Sequence, residues 1–317
     1  MPESRALAAA FAFGAAPHEC AAVRPVRVAV LLLAEDRRFE STPYLLTRLV
    51  RVWRDDGIEV EVVRGVDGIT AADVVIPHFD VTETPAAYHA ALTRQPLALN
   101  ARLVTIAKSS YSAILVGEDD PYAGPVIVKT DRNYGGLPEL RLRLASAPLP
   151  AWIVARITSG LRRLRATPVV WREVETLSPD GYPVYASRRE IPTGVFENPN
   201  LVVERFFPEI DGEDYCVRYL YCLGDREIGI RLRSKAKVVK AAGAHHCEVL
   251  PTIPEELRAI RRRLGFDYGK LDYVIVDDAV ILLDVNRTPV VSALERFGLT
   301  GRVVRYLAGG RPQATPS

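Results

Sequence analysis

Three polar side chains near the end of the chain have the types and spacing to hold a hard cation. In Leu283-Asp284-Val285-Asn286 the two polar residues are two apart, so on a strand they leave one face while Val285 enters the core. A carboxylate and an amide oxygen make an oxygen-only donor pair, which suits magnesium (or manganese) better than zinc. Asp272 sits in a preceding strand that is otherwise apolar from Tyr273 to Val276. A carboxylate there is costly unless it is paired or bound to a cation. Register decides whether the three meet. With a two-residue turn at Asp277-Asp278 and a regular ladder, Asp272 opposes Leu283 and Asp284 faces away. A three-residue loop, Asp277 to Ala279, or a bulge sets Asp272 opposite Asp284. The alternative reading is a pair of solvated aspartates on an exposed strand face.

A second candidate lies earlier. Pro125 to Lys129 is a short β-branched run ending in a lysine, followed by Thr130-Asp131-Arg132-Asn133-Tyr134-Gly135-Gly136. Such a loop can turn backbone N–H groups toward phosphate oxygens, with the lysine as a point charge. Its spacing matches neither the Walker A nor the Rossmann pattern, and an ordinary turn also accounts for it. No Ser/His/Asp or Cys/His arrangement stands out. Cys20, Cys216, Cys222 and Cys247 form no C-x-x-C pair and read as reduced thiols. His245 and His246, in a Gly/Ala-rich polar loop, suit a contact with solvent or substrate rather than a metal.

These residues need a scaffold. Val26 to Leu33 is a continuous apolar run, as in a parallel strand covered on both faces. A helix follows from about Thr42 to Arg54, with Ser41 as N-cap and Pro43 in the first turn. Strands over Ile58–Val63 and Ala72–Pro77 and a helix over Pro85–Arg94 complete a small open α/β unit. Ligands of such sheets lie beyond the carboxyl ends of the strands, where Glu35, Asp36, His78 and Asp80 stand. Later come helices over Trp152–Leu164 and Pro254–Leu264. Extended segments cover Val169–Val174, Tyr182–Ser187, Leu201–Phe207, Tyr215–Leu223, Glu227–Arg233, Leu271–Val276 and Val280–Val285. Residues 1–25 read as a flexible tail rather than a signal peptide, and 307–317 as a disordered one. The net charge of +2, with basic clusters only on helix-like faces, points away from nucleic acid. No apolar run has the length of a membrane span.

In this order the segments resemble the ATP-grasp superfamily, glutathione-synthetase-like in fold. Pro125–Lys129 with Asn133–Gly136 resembles its lysine strand and phosphate-covering loop. Leu201–Phe207 followed by Gly212-Glu213-Asp214-Tyr215 resembles the hinge strand, and Asp272 with Asp284–Pro289 the magnesium-binding hairpin. The resemblance implies an α/β class, more closely an α+β fold. A small N-terminal α/β domain at 26–100 would precede a two-subdomain ATP-grasp unit at 101–306. That unit divides into a lid at about 124–200 and a C-terminal subdomain at about 201–306.

Residue by residue, the resemblance implies that Lys129 and Lys108 contact the α- and β-phosphates. Glu204 accepts from the adenine amino group, the backbone near Phe206 and Phe207 lines the base, and Asp214 holds the ribose. Gly135 and Gly136 let the loop close over the γ-phosphate. Asp272, Asp284 and Asn286 bind one or two magnesium ions, and Lys270, Arg231 or Arg233 steadies an acyl phosphate. The chain departs from the pattern in carrying Asp284 where glutamate is common, and in a short interval from Lys108 to Lys129. The implied activity is a cytoplasmic ATP- and Mg-dependent carboxylate–amine ligase acting on a small-molecule or peptide carboxylate and an amine, with a homodimer possible. The alternatives are a small-molecule kinase on the same scaffold and a non-catalytic nucleotide-binding protein.

Overall fold

The computed structural model describes residues 26–69, 72–145, 153, 170–179 and 181–309. The tail expected at 1–25, the helix expected over 152–164 (Ile153 apart) and residues 310–317 lie outside them.

Three sheets carry an α+β architecture. In the first, strand β1 (Arg27–Leu32) lies between β2 (Glu59–Arg64) and β3 (Val74–His78), all parallel. β1 is covered on both faces, which is why its run is apolar throughout. Helix α1 (Leu45–Asp55) buries Leu45, Leu46, Leu49, Val50 and Trp53 along one stripe. It begins three residues later than the sequence suggested, and Ser41 does not cap it: the Ser41 hydroxyl donates to the Arg38 carbonyl at 3.2 Å. The first-turn N–H of Leu45 is satisfied from far away, by the Pro289 carbonyl at 2.8 Å.

A second, small antiparallel sheet has the order β5-β4-β6, where β4 is Val126–Thr130, β5 Val184–Tyr185 and β6 Leu201–Arg205. β6 pairs with β4 from Val126↔Arg205 to Thr130↔Leu201, so it belongs to the small sheet and not to the C-terminal subdomain assigned to it from sequence.

The third sheet is antiparallel throughout. Its strands are β7 (Glu209–Asp211), β8 (Asp214–Leu223), β9 (Arg226–Ser234), β10 (His246–Val249), β11 (Tyr268–Val276) and β12 (Ala279–Asn286). The order is β10-β9-β8-β11-β12, with β7 beside β8.

The largest core unites the first unit with the third sheet. Val28, Val30 and Leu32 of β1 and the buried stripe of α1 join Val217, Tyr219 and Tyr221 of β8 and Ile230 and Leu232 of β9. Helix α2 (Thr300–Ala308) supplies Val303, Val304 and Leu307 to the same cluster. The tail expected from residue 307 therefore starts too early: Leu307 and Ala308 are buried, and the Trp53 indole N–H donates to the Ala308 carbonyl at 3.3 Å.

Candidate functional site

The two residues between β11 and β12, Asp277 and Asp278, both take positive φ (49° and 63°), the geometry of a tight two-residue hairpin turn. By itself that turn would set Asp272 against Leu283. The ladder runs regularly from Val276↔Ala279 to Tyr273↔Leu282, then shifts, and the next partner of Asp272 is Asp284. Leu283 is the extra residue, and the bulge brings the two aspartates face to face, as the cation-site reading requires. The Leu283 carbonyl accepts from the Lys129 Nζ of β4 at 3.4 Å.

Above this hairpin a cavity of about 590 Å³ opens between the three sheets. Lys108, Lys129, Lys270, Asp272, Asp284 and Asn286 all line it, and Phe206 and Phe207 form its wall at the end of β6. Each carboxylate already has a cation. Lys108 Nζ lies 3.2 Å from Asp284, and Lys270 Nζ lies 2.8 and 3.1 Å from the two oxygens of Asp272. Lys270 also stands 3.8 Å above the Tyr219 ring, a cation–π contact. Burial pushes the Asp272 carboxyl above its ordinary pKa, with Lys270 opposing and the facing Asp284 adding to the rise. Asp284 is held low: burial works against its charge, but Lys108, Lys270 and Lys129 outweigh it. Burial also works against the Lys108 and Lys270 ammoniums, which Asp284 and Asp272 respectively hold above the usual lysine range.

The remaining residues singled out in the sequence lie elsewhere. Glu204 is fully buried and ion-paired to Lys129 at 2.6 Å, behind the cavity wall rather than on it. Gly135 and Gly136 take positive φ and are packed: a Cβ on Gly135 would stand 2.0 Å from the Leu177 carbonyl oxygen. Asp214 pairs with Lys235 at 2.9 Å and His245 at 3.1 Å, outside the cavity. Arg231 and Arg233 do not reach the cavity at all. Arg231 opposes Arg218, which leaves β8 on the face away from Tyr219, and both arginines bind Asp211 and Glu248 there. At the strand ends of the first sheet, Asp80 lines the cavity, whereas His78 is sealed beneath the Phe39 and Tyr44 rings.

Two residues were missed. Arg287, directly after the hairpin, is buried and donates to the carbonyls of Phe79, Val81, Thr82 and Leu103 and to the Thr84 hydroxyl. Burial pushes its guanidinium down to about 10. Lys240, on the loop after β9, lines the cavity with its Nζ 5.3 Å from the Tyr182 ring, and burial lowers its pKa. A lysine alternating with small residues in a loop gives no pattern to find it by.

The donor set of the hairpin suits a hard divalent ion. Two facing carboxylates, one of them pushed up by burial and by the other's charge, and an amide oxygen two residues on are what such an ion neutralises and binds. Among the described residues no group of three His, Cys, Asp or Glu side chains is gathered for a metal.

No family model matches the chain, and no curated protein matches it. Solved structures are similar to it along most of its length. A RimK-domain ATP-grasp protein from Sphaerobacter thermophilus is 15% identical, with 88% of this chain and 98% of that one aligned and a TM-score of 0.39. A D-alanine–D-alanine ligase from Bacillus anthracis is 11% identical over 88% and 99%, with a TM-score of 0.43. The macrocyclase MdnB from Microcystis aeruginosa is 13% identical over 90% and 100%, with a TM-score of 0.38. These likenesses are distant. No described helix is long and apolar enough to cross a membrane.

Proposed function

We propose that the chain is an ATP- and magnesium-dependent ligase that activates a substrate carboxylate as an acyl phosphate and joins it to an amine. The reading is supported above all by Lys108 and Lys270, paired to the facing Asp284 and Asp272, with Lys129 lining the same cavity. A cluster of buried ammoniums against two carboxylates fits a polyphosphate chelating a dication better than it fits a neutral ligand.

In this reading Lys108 and Lys129 bind the phosphate oxygens, and Phe206 and Phe207 flank the base at the far wall. Asp272, Asp284 and Asn286 hold the magnesium, which when bound neutralises charge on the transferring phosphoryl group. The substrate carboxylate oxygen bonds to the γ-phosphorus as the β–γ bridge breaks and ADP leaves. The amine nitrogen then attacks the acyl carbon, the C–O bond to phosphate breaks, and loss of a proton from nitrogen leaves the amide. In the same reading Lys270, facing the same space, holds the acyl phosphate. Arg231 and Arg233, on the far face, take no part. Catalysis of this kind needs positioning and charge rather than a protein nucleophile.

ADP and inorganic phosphate are measured together, with magnesium and pooled carboxylates and amines. A ligase releases both in equal amounts, dependent on the amine. ADP alone identifies a kinase, and neither product, with MgATP still bound, identifies a binding protein.

A further inference from the structure

The cavity does not end at the lysines. Beyond the hairpin it runs to the first sheet, where Arg38, Pro43, Tyr44, Asp80, Tyr134 and Val290 form its outer wall. Asp80 organises this end. One oxygen accepts from the Thr288 hydroxyl at 3.1 Å and the Asn133 amide at 3.2 Å; the other accepts from the Tyr44 hydroxyl at 3.2 Å and faces Arg38 at 3.6 Å. The lone pairs of Asp80 are thus occupied, and its task is to present the guanidinium. Arg38 is also fixed from behind, because its backbone N–H and that of Phe39 both bind the Asp36 carboxylate, at 2.7 and 3.2 Å. The Arg38 side chain remains 44% exposed, and Asp80 is the one carboxylate it meets among the described residues. Most of its donor fork is therefore open to a ligand.

The same cavity is lined by two of the large apolar side chains left exposed among the described residues, Tyr134 at 39% and Val290 at 40%. Tyr134 sits at φ 43°, a conformation that costs a non-glycine residue free energy and holds its ring at the cavity wall. Arg38 is close to the chemistry: it meets Asp80, Asp80 meets Thr288, and the Thr288 N–H donates to the Asn286 amide oxygen at 2.9 Å. Three contacts separate that guanidinium from the hairpin.

Resting on the ligase reading above, we propose that the amine substrate is a single α-amino acid with an apolar side chain, its free carboxylate bound by Arg38 and its side chain by Tyr134 and Val290. A bidentate guanidinium–carboxylate contact supplies orientation, which turns the amino group toward the hairpin. The apolar wall then selects the side chain.

Calorimetric titration of the full chain tests this, with L-leucine and L-phenylalanine, their C-terminal amides and L-glutamate as probes. Each titration is run with and without magnesium and a non-hydrolysable ATP analogue. The two apolar amino acids are expected to bind. Their amides, which lose the charge-assisted contact, and glutamate, whose charged side chain meets the apolar wall, should each bind at least about tenfold more weakly. Arg38→Gln should weaken leucine by about tenfold or more and Arg38→Lys by less, with affinity for the analogue changed less than about twofold. Equal binding of acid and amide, or leucine affinity unmoved in Arg38→Gln, overturns the proposal. So does failure of every amino acid to bind a chain that binds the analogue. Loss of analogue binding with amino-acid binding intact overturns the nucleotide reading and leaves this subsite standing.

Discussion

Lys129 of the small sheet donates to the backbone carbonyl of Leu283, the residue that the bulge pushes out of the large sheet, at 3.4 Å. The irregularity that turns Asp284 toward Asp272 therefore also provides the acceptor that ties the lysine strand to the hairpin. Positioning the proposed cation ligands and positioning the proposed phosphate-binding lysine are one structural event.

Asp284→Asn keeps the shape of the hairpin but removes the charge that faces Asp272. Turnover, read as ADP release, is expected to fall roughly 10²-fold or more, because a first ligand is lost from the proposed dication. Asp284 also holds Lys108, which is 3% exposed, so some stability is lost too. Its other side chain being partly solvated limits that loss to about 1–2 kcal/mol, measurable by urea titration without nucleotide. Unchanged turnover would remove the metal assignment.

Lys129 and Glu204 test a different balance. Glu204 is fully buried, so Lys129→Met leaves a carboxylate stranded and is expected to cost about 3–5 kcal/mol of stability. The double variant Lys129→Met/Glu204→Leu should regain most of it while remaining inactive. If Glu204 instead reached the nucleotide with little bearing on Lys129, the single variant would melt near the parent temperature.

His78 gives the fold a pH dependence. Burial, with a further contribution from the Arg287 charge, pushes its imidazole down to about 3 in the folded state. The unfolded chain protonates near 6.5 and the native one does not, so the stabilisation is complete above that value and is lost as pH falls. Between pH 6.5 and about 5, above the carboxylate range, unfolding free energy should drop by up to about 1.4 kcal/mol per pH unit. His78→Phe should flatten that slope in urea titrations at successive pH values. A parent profile already flat there would mean that His78 meets water.

Arg287→Met removes the donor for four backbone carbonyls that hold residues 79–84 and 103 against the hairpin's exit. Thr82 keeps the Ile106 N–H and Leu103 the Thr84 hydroxyl, so the Phe79 and Val81 carbonyls are the ones left unpaired; at about 1–3 kcal/mol each, a loss on the order of 4 kcal/mol is expected. Limited proteolysis should then cut first between the N-terminal sheet and the rest. A variant as resistant as the parent would show that the apolar core alone fixes the two units.

Much of this arrangement is legible in the sequence because it follows from periodicity. The apolar run of β1, the stripe of α1 and the alternation at Asp284 and Asn286 each report their own burial. The bulge is legible only as a requirement. Leu282 and Leu283 are both apolar, and nothing local says which is extruded. Facing is harder still. Arg231 and Arg233 alternate as strand residues should, but which side they take depends on the neighbouring strands, where Arg218 of β8, Glu209 of β7 and Glu248 of β10 complete a charged network away from the cavity. Glu204 reads as a base-contacting residue until Lys129 is seen beside it, two strands apart in sequence and adjacent in the sheet. Arg287 looks like a loop arginine, because its partners lie some two hundred residues earlier. Pairing across the chain, rather than propensity along it, decides these positions.

The Trp53 indole ends on the carbonyl of Ala308, and Val303, Val304 and Leu307 close the core that β1 and α1 begin. During synthesis the first hundred residues therefore leave the ribosome with an apolar face whose cover is incomplete until the chain has been made through residue 308. Chaperone dependence of the nascent chain, and aggregation of fragments truncated before α2, follow from where that last helix is stored.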